Sequence, residues 1–472
     1  MAVQQATRRH SGWLLTSLLG GMSLGNVDIA IVNTAAPSIG EHLRASGAEL
    51  ELIVSGYTLA YAMLLITSAR LGDMRGYRRM FLIGLTVFTL SSLACGLAPT
   101  ATVLVCARIV QGAGAAMMAS QVLIGIQLNF EESSRGRALG LYTAVLSGSA
   151  VIGQVLGGVL VSANLFGMAW RPIFLINVPI GAVLGVIAWL YLPVEEPQRR
   201  RRLDLAGTAL LSLALLLLVL PLVLGREAGW PLWTWVCLAA SIPTFGWFVA
   251  VEHRVVARGG YPLITLPLLR RPPVTFALVS QAATRATYFG ILFVLALYLQ
   301  RGLGKSPTYS GLALVSWVAA FGVAGPLLGR ADARLKRLAA PVGTLILAVA
   351  FAGLAASVGL GLDAGGVLLM ILLGLGGLGY GAAFSGTLAH LTSTVTDRYA
   401  ADVSGLFNTT LQAGGALGIA VFGTVYLDLA PGAGQTVANH AFLVTTTALA
   451  ATAAVAALLA NRAVRQERHE RH

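Results

Sequence analysis

The stretch Trp13–Ala36, WLLTSLLGGMSLGNVDIAIVNTAA, decides how the rest of the chain is read. As a helix it is long enough to cross a hydrocarbon core of roughly 30 Å. It holds one ionisable side chain, Asp28, between Asn26 and Asn33. It lacks the short uniform core and small-residue cleavage site of a signal peptide, so it reads as a retained span.

The rest of the chain follows the same reading. Of 472 residues, 56% are AVILMFWYC and only 11% are charged, with mean hydropathy +0.78. Soluble domains carry about 25% charge, so lipid is the solvent for most of this chain. The composition also excludes intrinsic disorder, and the 55 glycines have no collagen-like triplet period. Cys95, Cys106 and Cys237 all sit in apolar runs, with neither a disulfide framework nor metal-ligand spacing. The formal charge of +13 comes with no basic patch interleaved with aromatics, so no nucleic-acid partner is expected.

Fourteen apolar stretches recur: 13–36, 50–69, 80–98, 101–127, 138–162, 172–192, 204–225, 232–251, 274–299, 309–328, 339–360, 366–391, 402–427 and 439–461. An even number puts both termini on one side. With the N-terminus inside, 25 of the 32 Lys and Arg fall in inner segments. Five are outer: Arg44, Arg171, Arg226, Arg301 and Lys305. The positive-inside rule therefore makes both termini cytoplasmic, in a multi-pass protein of the inner membrane. Two internal echoes suggest duplication. ALGLYTAVLSGSAVIG (Ala138–Gly153) parallels VSGLFNTTLQAGGALG (Val403–Gly418), and Asp73, Arg75 and Arg78 parallel Asp332, Arg334 and Arg337. The fold class expected is all-α. Residues 1–195 and 261–472 each form a six-helix bundle, and 196–260 insert spans seven and eight.

Asp28 is the one acidic residue expected deep in a span, where a charge costs roughly 2.5–3.5 kcal/mol on insertion scales. Such a carboxylate can bind a proton or a cationic substrate in a central cavity, and Asn26, Asn33, Gln111 and Gln154 are candidates to line it. Arg108 in the fourth span stays charged, so its expected role is to hold an anion, a water chain or a helix end. Arg285 lies nearer a span end, within snorkelling reach of the interface, and is a less specific signal to which no role is assigned. Gly148, Gly153, Gly157 and Gly158, with Gly112 and Gly114, have the small-residue spacing that lets helices approach closely. No His cluster, Ser/His/Asp set, facing carboxylate pair or GxxxxGK[ST] loop occurs, which argues against an enzyme and against direct ATP drive.

Five strings carry a family resemblance. They are LGNVDIAIVNTAAPSI (Leu24–Ile39), ARLGDMRGYRR (Ala69–Arg79), ARIVQGAGAA (Ala107–Ala116), GSAVIGQVLGG (Gly148–Gly158) and WRPIFLINVPIG (Trp170–Gly181). In this order the chain resembles the fourteen-span drug:proton antiporters of the major facilitator superfamily. That resemblance implies a major facilitator fold working by alternating access, driven by the proton gradient and without a cofactor. It implies proton-coupled efflux of hydrophobic or cationic drugs and toxic small molecules. Asp28 would be the proton and substrate site, with Arg108 assisting. Gly72, Asp73, Arg75, Gly76, Arg78 and Arg79 would form a cytoplasmic gating loop, and the Gly148–Gly158 glycines the antiporter motif. Its partners would be small-molecule substrate, protons and the lipid bilayer. Gln154 stands where the family often has Pro, and Leu335 stands in place of Gly76 in the second half. Two other readings stay open: a dedicated exporter of one endogenous antibiotic or siderophore, and a non-transporting scaffold or sensor.

Overall fold

The computed structural model describes residues 2–470 apart from 131, 195–204, 226–227, 259–265, 331, 363–364, 395–399 and 431–433. Its main helices run in chain order. They are α1 (Ala2–Leu43), α2 (Gly47–Arg75), α3 (Tyr77–Gly96), α4 (Ala101–Asn129), α5 (Glu132–Ala163), α6 (Asn177–Tyr191), α7 (Leu205–Leu224) and α8 (Leu232–Ala257). There follow α9 (Pro272–Leu297), α10 (Pro307–Arg330), α11 (Ala333–Gly359), α12 (Val367–Thr394), α13 (Ala400–Gly418) and α14 (Gln435–Glu470). Single π-type turns extend α9 (Tyr298–Gly302) and α13 (Ile419–Gly423, then helical Thr424–Leu429).

Among the described residues, twelve helices are long and apolar enough to cross a membrane. The described apolar stretches of α5 and α13 are shorter, Ile152–Ala163 and Ala413–Leu429. Only helices can cross singly, because lipid offers the backbone no hydrogen-bond partners. Their outward faces are apolar too: Leu90, Val110, Trp189, Ile242 and Trp247 are exposed. The links are short and chemically specified. Ser46 and Glu49 form a reciprocal capping box that starts α2. One residue, Gly76 at φ 89°, turns α2 into α3, a conformation that a side chain strongly disfavours.

The packing repeats eight helices later. α1 packs on α5 and α6, as α9 packs on α13 and α14; α2 and α3 pack on α4, as α10 and α11 pack on α12. The remaining pair, α7 and α8, pack on each other, with α7 against α2 and the π turn of α13. The expected boundaries at 195/196 and 260/261 fall outside the described residues. Across the halves α5 meets α10, α2 meets α13, and α1 meets α9. The described hydrogen bonds between the halves all lie toward the end where α1 finishes, here the far end. Gln300 Nε2 donates to Thr34 O at 2.9 Å, and Thr308 Oγ1 lies 2.7 Å from Ser162 Oγ. Thr424 Oγ1 donates to the buried Glu51 carboxylate. The structure is closed at that end. α1 begins, and α14 finishes, at the other.

Candidate functional site: a buried charge network in the first bundle

Asp28 is two-thirds of the way along α1 and has no solvent exposure. Four further helices converge on it. Arg108 and Gln111 share one face of α4, three residues apart. The Arg108 guanidinium forms an ion pair with Asp28 Oδ2, donates from Nε to Ile53 O at 2.9 Å, and donates from Nη1 to Gln111 Oε1 at 2.7 Å. It stacks 4.3 Å from the centre of the Tyr57 ring of α2. Gln111 Nε2 donates to Asp28 Oδ1 (2.9 Å) and to Ser92 Oγ of α3 (3.1 Å). Asn177 Nδ2, at the start of α6, makes the same two bonds at 3.1 and 3.0 Å. Ser92 completes the set by donating to Phe174 O. The start of α6 is itself fixed, because Arg171 donates to Gly96 O and Ala98 O at the end of α3.

Asp28 and Arg108, predicted separately, are thus one unit, and Gln111 belongs to it. The sequence points to Asp28 in a central cavity, available to a proton or cation; in this state it has no solvent exposure and is paired with Arg108 inside the first bundle. The physical reason is that a buried charge is tolerated only when paired and fully hydrogen-bonded. Three members were not singled out from sequence. Asn177 lies within the quoted WRPIFLINVPIG string, whereas Ser92 and Tyr57 are ordinary residues of apolar helices.

The other candidates sit elsewhere. Asn26 and Asn33 donate to Met22 O and Ile29 O, the turn before each on their own helix. Gln154 Oε1 accepts from Thr34 Oγ1 at 2.5 Å, tying α5 to α1, and its own carbonyl abuts Gly311 of α10. A Cβ on Gly153 would lie 2.6 Å from Val27 O, and one on Gly157 2.8 Å from Ile31 O, so both glycines seat α5 on α1. Gly158 faces the other half, with Pro307 O at 2.7 Å from such a Cβ. Gly148 has open space around it and no packing role of this kind.

In the gating loop, Gly72 is buried against Gln121 of α4, and Gly76 makes the turn. The Asp73 side chain lies outside the described residues. Arg78 donates to Trp189 O of α6, within its own bundle, while Arg75 and Arg79 are exposed. The parallel Asp332 caps α11 by accepting from Leu335 N at 2.8 Å. Arg285 does not snorkel: it is half-buried, and Nη1 donates to Tyr380 OH at 2.7 Å.

Comparison with known proteins places this geometry. The model of the Major Facilitator Superfamily matches residues 18–419. The chain is 36% identical over 417 residues to the probable actinorhodin transporter of Streptomyces coelicolor, covering 87% of this chain and 72% of that protein. It is 36% identical over 423 residues to the cephamycin export protein of Amycolatopsis lactamdurans (88% and 84% covered). It is 32% identical over 418 residues to the tetracenomycin C resistance and export protein of Streptomyces glaucescens (87% and 75% covered). Among solved structures, a bacterial homolog of the human lysosomal transporter Spinster, in an inward-facing, unoccupied conformation, superimposes with TM-score 0.70 at 16% identity. Each chain is covered to 98%.

Proposed function

Because the chain belongs to the major facilitator superfamily, and so is a non-enzymatic, multi-pass transporter of the inner membrane, we propose that it exports hydrophobic small molecules in exchange for protons. It would use fourteen spans, both termini cytoplasmic, with α7 and α8 inserted between two six-helix halves. In that orientation the far end is the outer face. The present state is then closed outside, and alternating access rocks one half against the other.

The observation that carries this reading is the Asp28–Arg108 network. A buried ion pair is weak as a stabilising device, since well-packed apolar side chains serve a bundle as well or better. Its value here is that one carboxylate has two alternative partners. Arg108 is one partner and a proton the other; because α1 and α4 belong to the same half, the exchange needs a rearrangement inside that half, coupled to its rocking, that parts the guanidinium from the carboxyl. A cationic substrate would have to displace Arg108, so the pairing favours a proton as the occupant of Asp28. At the near end, Asp73 with Arg75, Arg78 and Arg79 would lock the halves when that end closes. In the present state Arg78 donates to Trp189 O of its own bundle.

The test is dye efflux from energised vesicles, with and without a proton gradient. Gradient-driven efflux by the natural chain, lost in Asp28→Asn, supports the reading. If the mutant keeps gradient-driven efflux, Asp28 is not the coupling site; if the natural chain ignores the gradient, antiport is wrong. The names of the relatives favour a second reading, export of one antibiotic made by the same cell. Vesicles that concentrate one natural product and refuse unrelated dyes would support it.

A further inference from the structure

The second half contains a cation that the network above does not use. Arg285 sits midway along α9, which is enclosed by α10, α12, α13 and α14 and, across the halves, by α1. Arg285 keeps partial exposure although its helix has these neighbours on both sides, one of them from the other half. Among the described residues no carboxylate is paired with it. Its company is aromatic. The guanidinium lies 4.6 Å from the centre of the Phe289 ring and 5.3 Å from that of Tyr288, and bonds the Tyr380 hydroxyl. Tyr288 and Tyr380 stack with centroids 4.7 Å apart and planes within 12°. Trp317 and Phe321 of α10, then Phe384 of α12, continue the wall at 5.4–6.4 Å.

Several polar atoms of this wall lack protein partners. Arg285 Nε is one; Trp317 Nε1 is another; the amide of Gln281, one turn before Arg285, has neither end satisfied. Each buried unmet group costs about 1–3 kcal/mol, and native interiors hold few of them. A cation with no counter-ion among the described residues, beside donors without acceptors and aromatic rings, is complementary to a flat ligand bearing a negative oxygen. Tyr288, Trp317 and Tyr380 are buried against one another in this state, so a flat ligand gains apolar area by parting the cluster, and the guanidinium supplies orientation.

We propose that this wall, centred on Arg285, Tyr288, Trp317 and Tyr380, is the substrate-recognition site and selects planar aromatic acids, compounds whose ring system carries a carboxylate or phenolate. The proposal rests on the export reading for its biological meaning, but its binding step is separable from transport. The division of labour follows: the proton rides in the first half and the substrate anion is held in the second.

The experiment measures binding to the purified full chain in nanodiscs, by quenching of tryptophan fluorescence, for three anthraquinones: the 2-carboxylate, its methyl ester, and a 2-trimethylammonium analogue. The carboxylate is expected to bind about tenfold or more tightly than either of the others, a difference typical of one charge-assisted contact. Arg285→Gln should bring the carboxylate down to the level of the ester and leave the ester within about twofold. Arg285→Lys should keep part of the preference, showing that charge and not folding is being read. Equal binding of acid and ester, preference for the cation, no binding of any of the three, or an equal loss of all ligands in Arg285→Gln would overturn the proposal. Binding as expected without gradient-driven efflux of the carboxylate would leave this site standing and remove the export reading instead.

Discussion

Arg108 shows how one residue can be held by several elements at once. Its charge is met by Asp28 of α1, its Nε by the backbone of α2, and its face by the Tyr57 ring. Removing one partner of such a pair strands the other charge without solvent, which costs about 3–5 kcal/mol. Arg108→Met should therefore lower the unfolding temperature in detergent by several degrees. Adding Asp28→Asn to it should restore most of that loss, since no charge is then left buried. A double mutant as unstable as the single one would show that packing, not charge, carries the cost. The same logic explains Gln111 and Asn177, whose amides supply the carboxylate's second oxygen with two donors.

At the scale of elements, the glycines of α5 divide by direction. Gly153 and Gly157 look into the first bundle, whereas Gly158 meets the backbone of α10 in the other half. Gly158→Val forces side-chain atoms into the Pro307 carbonyl and Thr308 Cα, overpacking that costs about 1–3 kcal/mol in the closed contact. If the halves rock as proposed, this contact belongs to the far-end-closed state alone, so the bundles should still fold while the population shifts toward opening there. A cysteine placed at Ser162, with Cys106 and Cys237 replaced by Ser, should react faster with a membrane-impermeant thiol reagent in this variant. Unchanged labelling would mean that the α5–α10 contact does not hold the closed end together.

For the whole molecule, the far-end contacts define one of two endpoints. Ser162 and Thr308 face each other from opposite halves with hydroxyl oxygens 2.7 Å apart, close enough for cysteines there to join. In the same cysteine-substituted background, Ser162→Cys with Thr308→Cys should cross-link on oxidation and cut efflux about tenfold or more, with recovery on reduction. Full-rate efflux by the cross-linked protein would mean that transport does not require this end to open. The repeated packing, α1 with α5 and α6 mirrored by α9 with α13 and α14, makes rigid halves the natural moving units.

Hydropathy and charge are properties of the chain taken a few residues at a time, and they were enough to make this a bundle of membrane helices. The Gly153–Gly418 echo survives as parallel packing, with Gly418 against Ala286 of α9 as Gly153 is against Val27 and Ala30 of α1. Asp28 and Arg108 stood out because charge in a span is expensive wherever the helix points. What tertiary structure alone decided is which side each helix turns inward. A helix that meets protein on one face and lipid on the other is apolar nearly all round, so its sequence has little periodic contrast to set that angle. Hence Asn177, 149 residues from Asp28, came to share its carboxylate, and Arg285 proved to be enclosed by aromatic rings.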